Sequence, residues 1–189
     1  MNGIKNILAC SLLILLFNSP PSFAEIGRKT PSSDGSLSAG PYYNPASKSY
    51  FELFRAPKIQ GERRWEIAKA RAERKYFKNT RGRLAVIKNL ATHQFILHNF
   101  KGNNIWIGLQ YLCGNKALKW VDGTYIKKSD FSVWGPNWAR RPDIRCADMG
   151  YMPVAYTRSQ STYGATRWQA TGPHKGYVLY LVEYPTGKK

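Results

Sequence analysis

Asn104–Leu109 limits what this chain can fold into more than any other stretch. Trp106-Ile107-Gly108-Leu109 is an apolar run of strand type. A glycine inside such a run marks a place where another backbone passes close. Lys101-Gly102-Asn103-Asn104, just before it, is turn chemistry. Downstream follow Trp120-Val121-Asp122-Gly123-Thr124, Trp134-Gly135-Pro136-Asn137, Cys146, Trp168 and finally Tyr177–Tyr184. These read as short strands separated by turn residues, with an aromatic anchor on each. The chain has 189 residues, which suits one domain plus a tail. An aromatic share of 14% is enough to fill the core of an aromatic-rich β or α+β fold.

Upstream of that run, residues 1–24 read as a secretory signal peptide: Lys5 supplies the positive start, Ile7–Phe17 the apolar segment, and Ser22-Phe23-Ala24 a small-x-small cleavage site. The apolar segment is shorter than the roughly 20 residues that span a bilayer. Residues 25–48 are rich in Ser, Pro and Gly and read as a flexible arm, with Tyr42 and Tyr43 placed to dock it locally. Ser49–Phe54 alternates as a first strand. Glu62–Phe77 reads as a helix, because Trp65, Ala68, Ala72 and Tyr76 fall on one stripe. Arg81-Gly82-Arg83 then turns the chain, with Gly82 ending the helical region. Leu84–Ile87 is a short apolar strand. Thr92–Phe100 reads as a second helix, with Phe95, Ile96 and Phe100 toward the core; His93 and His98, five apart, share no helix face and read as surface or cap histidines. Residues 111–145 are irregular, and loops of that length signal function. Strand character returns from Ile144, around Trp168, and through Tyr177–Tyr184, which is expected centrally or beside the first strand.

Charge narrows the partners. Lys and Arg number 29 against 11 Asp and Glu, a net charge of +18. Such a chain approaches polyanions: acidic glycans, anionic membrane surfaces, nucleic acid. The signal peptide argues against specific nucleic-acid binding as its role. Between Arg55 and Lys88 stand twelve basic residues and three acidic ones. The polar face of the first helix therefore reads as a basic patch: Arg63, Arg64, Arg71, Arg74, Lys75 and Lys78. The other reading is a solvated helix face. After cleavage only Cys113 and Cys146 remain, and in an oxidising compartment they are either one disulfide or two separate buried thiols. No Cys/His cluster has zinc spacing. There is no Ser/His/Asp order, Gly-rich phosphate loop or paired carboxylates, so no catalytic residues and no cofactor are assigned.

In that order, WIGL, WVDGT, W-G-P-N, Cys146, Trp168 and YVLYLVEY resemble the C-type lectin-like domain, over residues 50–185. Trp65–Ala68 is similar to the family's opening Trp-x-x-Ala helix, and Gly82–Ile87 to its Gly-x-Leu-Ala-x-Ile. The resemblance implies an α+β fold of two helices packed on short antiparallel sheets, with a long irregular loop region, over 49–189. It makes Trp106 and Leu109 core, and likens Trp120, Trp134 and Trp168 to the family's core aromatics. It places ligands in the long loop, at Trp134, Asn137, Trp138, Arg140 and Arg141.

Sugar-binding members hold calcium through a Glu-Pro-Asn or Gln-Pro-Asp triplet and an Asn-Asp pair after a Trp. Here Pro136-Asn137 keeps half the triplet, Gly135 stands first, and Gln169-Ala170 replaces Asn-Asp. Asp143 and Asp148 are the remaining helpers, too few for an ion that takes six to eight oxygens, so no metal is expected. Family members often tie the helix end to the last strand, and those places resemble Ala72 and the neighbourhood of Leu181. Cys146 matches a family cysteine whose usual partner is missing, and Cys113 would substitute. The pattern is that of a divergent, bacterial, secreted member. The expected function is a secreted or periplasmic module that binds a carbohydrate or anionic surface glycan without calcium and is not an enzyme. Peripheral contact with an anionic membrane surface fits the same charge. The rival is a protein-interaction or adhesion domain, with the same aromatic and arginine loop as its hot spot.

Overall fold

The computed structural model describes residues 35–59, 61–135, 146, 150–158 and 166–189. Strand β1 (Ser36–Asn44) pairs antiparallel with β2 (Ser49–Arg55). Helix α1 (Trp65–Glu73) follows, then a two-residue hairpin, β3 (Tyr76–Phe77) and β4 (Thr80–Arg81), and β5 (Arg83–Leu84). Helix α2 (Leu90–Asn99) precedes β6 (Ile105–Leu112), which contains the Trp-Ile-Gly-Leu run. Then come β7 (Ala117–Trp120), β8 (Tyr151–Arg158), β9 (Thr166–Ala170) and β10 (Leu179–Tyr184). The main sheet runs β1-β2-β10-β6-β8-β9, with β5 beside β10 and β7 beside β6. Its pairs are antiparallel except β6 with β10, where Leu179 faces Ile105 and Tyr180 faces Trp106 in parallel register. One parallel pair is a departure from the expected all-antiparallel sheets.

The last strand lies between β2 and β6. Side chains alternate across it: Leu179 and Leu181 join one core with Phe51, Leu53, Ile105, Ile107, Leu109, Ile96 and Phe100, while Tyr180, Val182 and Tyr184 join a second with Tyr50, Phe54, Trp65, Ala68, Ala72 and Trp106. Helix α2 contributes to the first core and α1 to the second. That explains why these strands read as continuous apolar runs: both of their faces are covered.

Glycine 108 lies on the α1 side. A Cβ there would meet the Leu84 carbonyl oxygen at 2.6 Å and Val121 Cγ2 at 2.7 Å. Its amide donates to the Ala85 carbonyl at 2.9 Å, so the chain after β5 crosses where a side chain has no room. Two carboxylates are built into the sheet. Glu183, 3% exposed, accepts from Ser49 Oγ (2.8 Å), Arg83 Nε (3.0 Å) and the Val86 amide (3.0 Å). Glu52 accepts from the Tyr184 hydroxyl at 2.5 Å.

Four expectations are corrected. The flexible arm over 25–48 loses residues 36–44, which are an edge strand held by backbone pairing to β2. Its end is also tied to α2 by Asn44 Nδ2 donating to Thr92 Oγ1 at 3.0 Å, and Tyr42 lies 5.5 Å from the Phe100 ring. Helix α1 is shorter than Glu62–Phe77, because Lys78 and Asn79 take positive φ (47° and 59°) and turn Tyr76–Phe77 back into a hairpin. Gly82 donates to the Lys75 carbonyl instead of capping the helix. His93 is core, not surface: it is 3% exposed.

Candidate functional site

The first half of the long loop is well fixed. Strand β7 runs antiparallel to β6, and Asp122 then closes a turn, accepting from the Thr124 amide (3.0 Å) and hydroxyl (2.6 Å) and from Lys88 Nζ (2.7 Å). Burial works against that charge, yet the Lys88 and Thr124 hydrogen bonds hold the Asp122 carboxyl below its usual range. Farther along, residues 133–135 lie against β9. The Trp168 amide donates to the Val133 carbonyl at 2.8 Å, and the Gly135 amide to the Trp168 carbonyl at 3.0 Å.

Trp168 is fully buried and is the hub of an aromatic cluster. Trp120, Phe131 and Trp134 approach it edge-on, with centroids at 5.5, 5.8 and 5.6 Å. His93 closes the cluster: its Nδ1 shares a 2.8 Å hydrogen bond with the Tyr156 hydroxyl, and its ring lies 5.7 Å from Phe131. Burial, and then the positive charge of Arg167, hold its imidazole below the usual histidine range. Burial raises the Tyr156 phenol well above its ordinary value.

The far end of the loop is clamped as well. Cys113 and Cys146 form a disulfide with Cα atoms 5.9 Å apart, which selects the first of the two readings of these thiols. The Cys113 amide also donates to the Gly150 carbonyl at 2.9 Å. The described residues on either side of 136–145 are therefore fixed: Gly135 by its hydrogen bond to β9, and Cys146 by its bond to Cys113, the residue after β6.

Of the expected ligand residues, Trp134 is half-buried and turned onto Trp168, so it anchors the base of the loop. Asn137, Trp138, Arg140 and Arg141 lie outside the described residues. The expected basic patch divides. Arg71 is a correction: it is 2% exposed, and it hydrogen-bonds the Glu62 carboxylate and the Glu62 carbonyl. Its position next to the Ala68–Ala72 stripe takes it under the helix and not onto the outer face. Lys75 and Lys78 lie over β2 aromatics, Nζ 3.9 Å from the Phe54 centroid and 4.8 Å from that of Tyr50. Arg74 and Arg64 are exposed, and Arg63 is half-buried.

The resemblance to sugar-binding lectins raises calcium, and the described donors do not fit it. Gly135 has no side chain. Ala170 is 9% exposed and packs in the core. Gln169 is neutral, and its Oε1 already accepts from Thr157 Oγ1 at 3.0 Å. Among the described residues no three His, Cys, Asp or Glu side chains are grouped to hold a metal. Asp143 and Asp148 lie outside them. No described helix is long and apolar enough to cross a membrane.

No curated protein sequence matches the chain. Among solved structures, C-type lectin CEL-I from Cucumaria echinata is similar at 15% identity, with a TM-score of 0.50 over 82% of this chain and 96% of that one. SPL-1 in its GlcNAc complex is similar at 21% identity and TM-score 0.49, over 72% of this chain and 88% of that one. The EPNH mutant of CEL-I gives 14%, 0.49, 83% and 97% in the same order. The family model for the lectin C-type domain matches residues 66–171, and with the α+β architecture already described the chain belongs to the C-type lectin domain family.

Proposed function

We propose that this chain is a secreted or periplasmic lectin-like binding module that recognises a carbohydrate or anionic surface glycan, without calcium, through its long loop. One observation carries this reading: the loop is held at both ends by a rigid frame, the Trp168 aromatic cluster and the Cys113–Cys146 bond, while the positions that would feed a calcium ion are Gly135, Gln169 and Ala170. Family membership supports a binding role. Two buried titratable groups are used for structure: His93, in the frame, is packed against Tyr156, and Glu183, on β10, is enclosed by three donors. Trp138, Arg140 and Arg141 supply a ring that can stack on a sugar and guanidinium forks for carboxylate or sulfate. The leader over 1–24 supports export.

The experiment is a panel of neutral and acidic glycans, run with calcium and with chelator, at low and high salt. Binding that survives chelator and falls with salt is expected. Arg140→Ala with Arg141→Ala should weaken it about tenfold or more without altering the melting curve. Loss of binding in chelator refutes calcium independence. No binding to any glycan transfers the loop to a protein partner.

A further inference from the structure

Away from the long loop, three short segments enclose an open basin of about 500 Å³. Lys58 and Ile59 come from the connection after β2, Gly61, Arg63 and Arg64 from the entry to α1, and His174 and Gly176 from the turn before β10. Four of these seven residues are basic or imidazole, and no described carboxylate lines the basin. Its size lies within the roughly 300–1,000 Å³ of small-ligand sites.

The floor is fixed by the core. The Arg63 carbonyl accepts from Trp106 Nε1 at 2.8 Å and from the Tyr177 amide at 2.9 Å. Gly176 allows that approach, since a Cβ there would lie 3.2 Å from Arg63 Cβ. Arg63 Nε reaches back to the Pro57 carbonyl at 3.4 Å, so its head is held across the basin from the preceding loop. Of the two carboxylates near this stretch in sequence, Glu62 is taken by buried Arg71, and Glu66, in the first turn of α1, does not line the basin. Arg64, the N-cap of α1, makes no side-chain cap and lines the basin. Cations gathered on a fixed backbone, with Glu62 engaged by Arg71 and no described carboxylate in the lining, make a seat for an anion that brings its own oxygens.

We propose that this basin binds one tetrahedral oxyanion, phosphate or sulfate, either free or as the ester of a small sugar. Arg63 and Arg64 fork onto its oxygens, and Lys58 and His174 close the sides. The site is built from residues outside the long loop and holds whether or not that loop binds a glycan.

The test is titration of the ¹⁵N-labelled full chain with inorganic phosphate, inorganic sulfate, glucose 6-phosphate and glucose 6-sulfate, with glucose as control. Saturable shifts are expected at the Gly61, Arg64 and Gly176 amides, and none with glucose. A response to the inorganic ions alone identifies a free anion as the ligand; a tighter response to the esters identifies a sugar. Arg63→Gln with Arg64→Gln should weaken binding about tenfold or more. His174→Glu, at an exposed turn position that the fold does not use, should do the same. Lys116→Gln with Lys128→Gln removes as much charge from exposed positions elsewhere and should change affinity less than about twofold. No saturable shift overturns the proposal. So does equal weakening by the distant pair, which would mean a diffuse field, or retained affinity in His174→Glu.

Discussion

Trp106 connects the central strand to the entry of α1, and its two roles can be separated by two substitutions. It is fully buried, its ring lies 4.4 Å from that of Tyr177, and its Nε1 donates to the Arg63 carbonyl. Trp106→Phe keeps an aromatic ring and removes the donor. Because the Arg63 carbonyl still accepts from the Tyr177 amide, no acceptor is orphaned, and the hydrogen bond itself costs about 0.5–1.5 kcal/mol. The missing part of the indole leaves a small void worth roughly another 1 kcal/mol. Trp106→Ala loses the ring as well and should cost about 3–5 kcal/mol. Equilibrium urea unfolding with the disulfide intact measures both. With m of roughly 2 kcal/mol per molar, the Phe variant should lower the midpoint by about 1 M and the Ala variant by about 2 M. Native-state exchange of the Tyr177 amide should quicken in both. If Trp106→Phe is as stable as the parent, the Nε1 bond contributes nothing. If it is as damaging as Trp106→Ala, the ring does not carry the core and the account of the second core is wrong.

Replacing Cys113 and Cys146 by Ser opens a link across a sequence separation of 33, which on chain entropy costs about 3–4 kcal/mol, read as a fall in urea midpoint; no change would mean that the bond does not constrain the unfolded chain. Glu183→Gln weakens the bond from Arg83 and confronts the Ser49 and Val86 donors with an amide, so unfolding should become easier by about 2–3 kcal/mol; an unchanged variant would show that the buried carboxylate is dispensable. The His93 imidazole lies below its reference of 6.5, so the unfolded chain takes up a proton first: this contribution is complete above pH 6.5 and is lost as pH falls from there through the folded value. His93→Gln should flatten that part of the stability–pH curve, and an equal slope in both proteins would remove His93 as its source.

The parts of the fold written in side-chain pattern were legible. The Trp-Ile-Gly-Leu run, the close backbone approach at Gly108, and the burial of Trp120 and Trp168 all follow from residues whose size or absence of side chain forces the arrangement. Strand β1 was not legible, because an edge strand is held by main-chain hydrogen bonds that any sequence can make, and Ser, Gly and Pro show no alternation. Arg71 and His93 were misread for a related reason. Each is polar yet buried beside a partner that helix periodicity does not reveal: Glu62 in the turn before α1 for Arg71, and Tyr156 across the core for His93. The oxyanion basin brings Lys58, Gly61, Arg63 and Arg64 together with His174 and Gly176, more than a hundred positions away, and it is the β2–β10 pairing and the Tyr177–Arg63 hydrogen bond that put them in one place. The frame of the long loop was half visible: the two cysteines stood out, while Trp134 was expected both among the core aromatics and among the ligand residues, and its ring turns onto Trp168.

The clamps at Gly135 and Cys146 have an evolutionary consequence. Both clamps belong to the described frame, a hydrogen bond from Gly135 to β9 and a covalent bond from Cys146 to the residue after β6. Loop-closure entropy grows by only about 0.6 kcal/mol for each doubling of length. On that arithmetic, a change of length between the two clamps should cost folding little, so recognition can be re-engineered there while the frame stays the same.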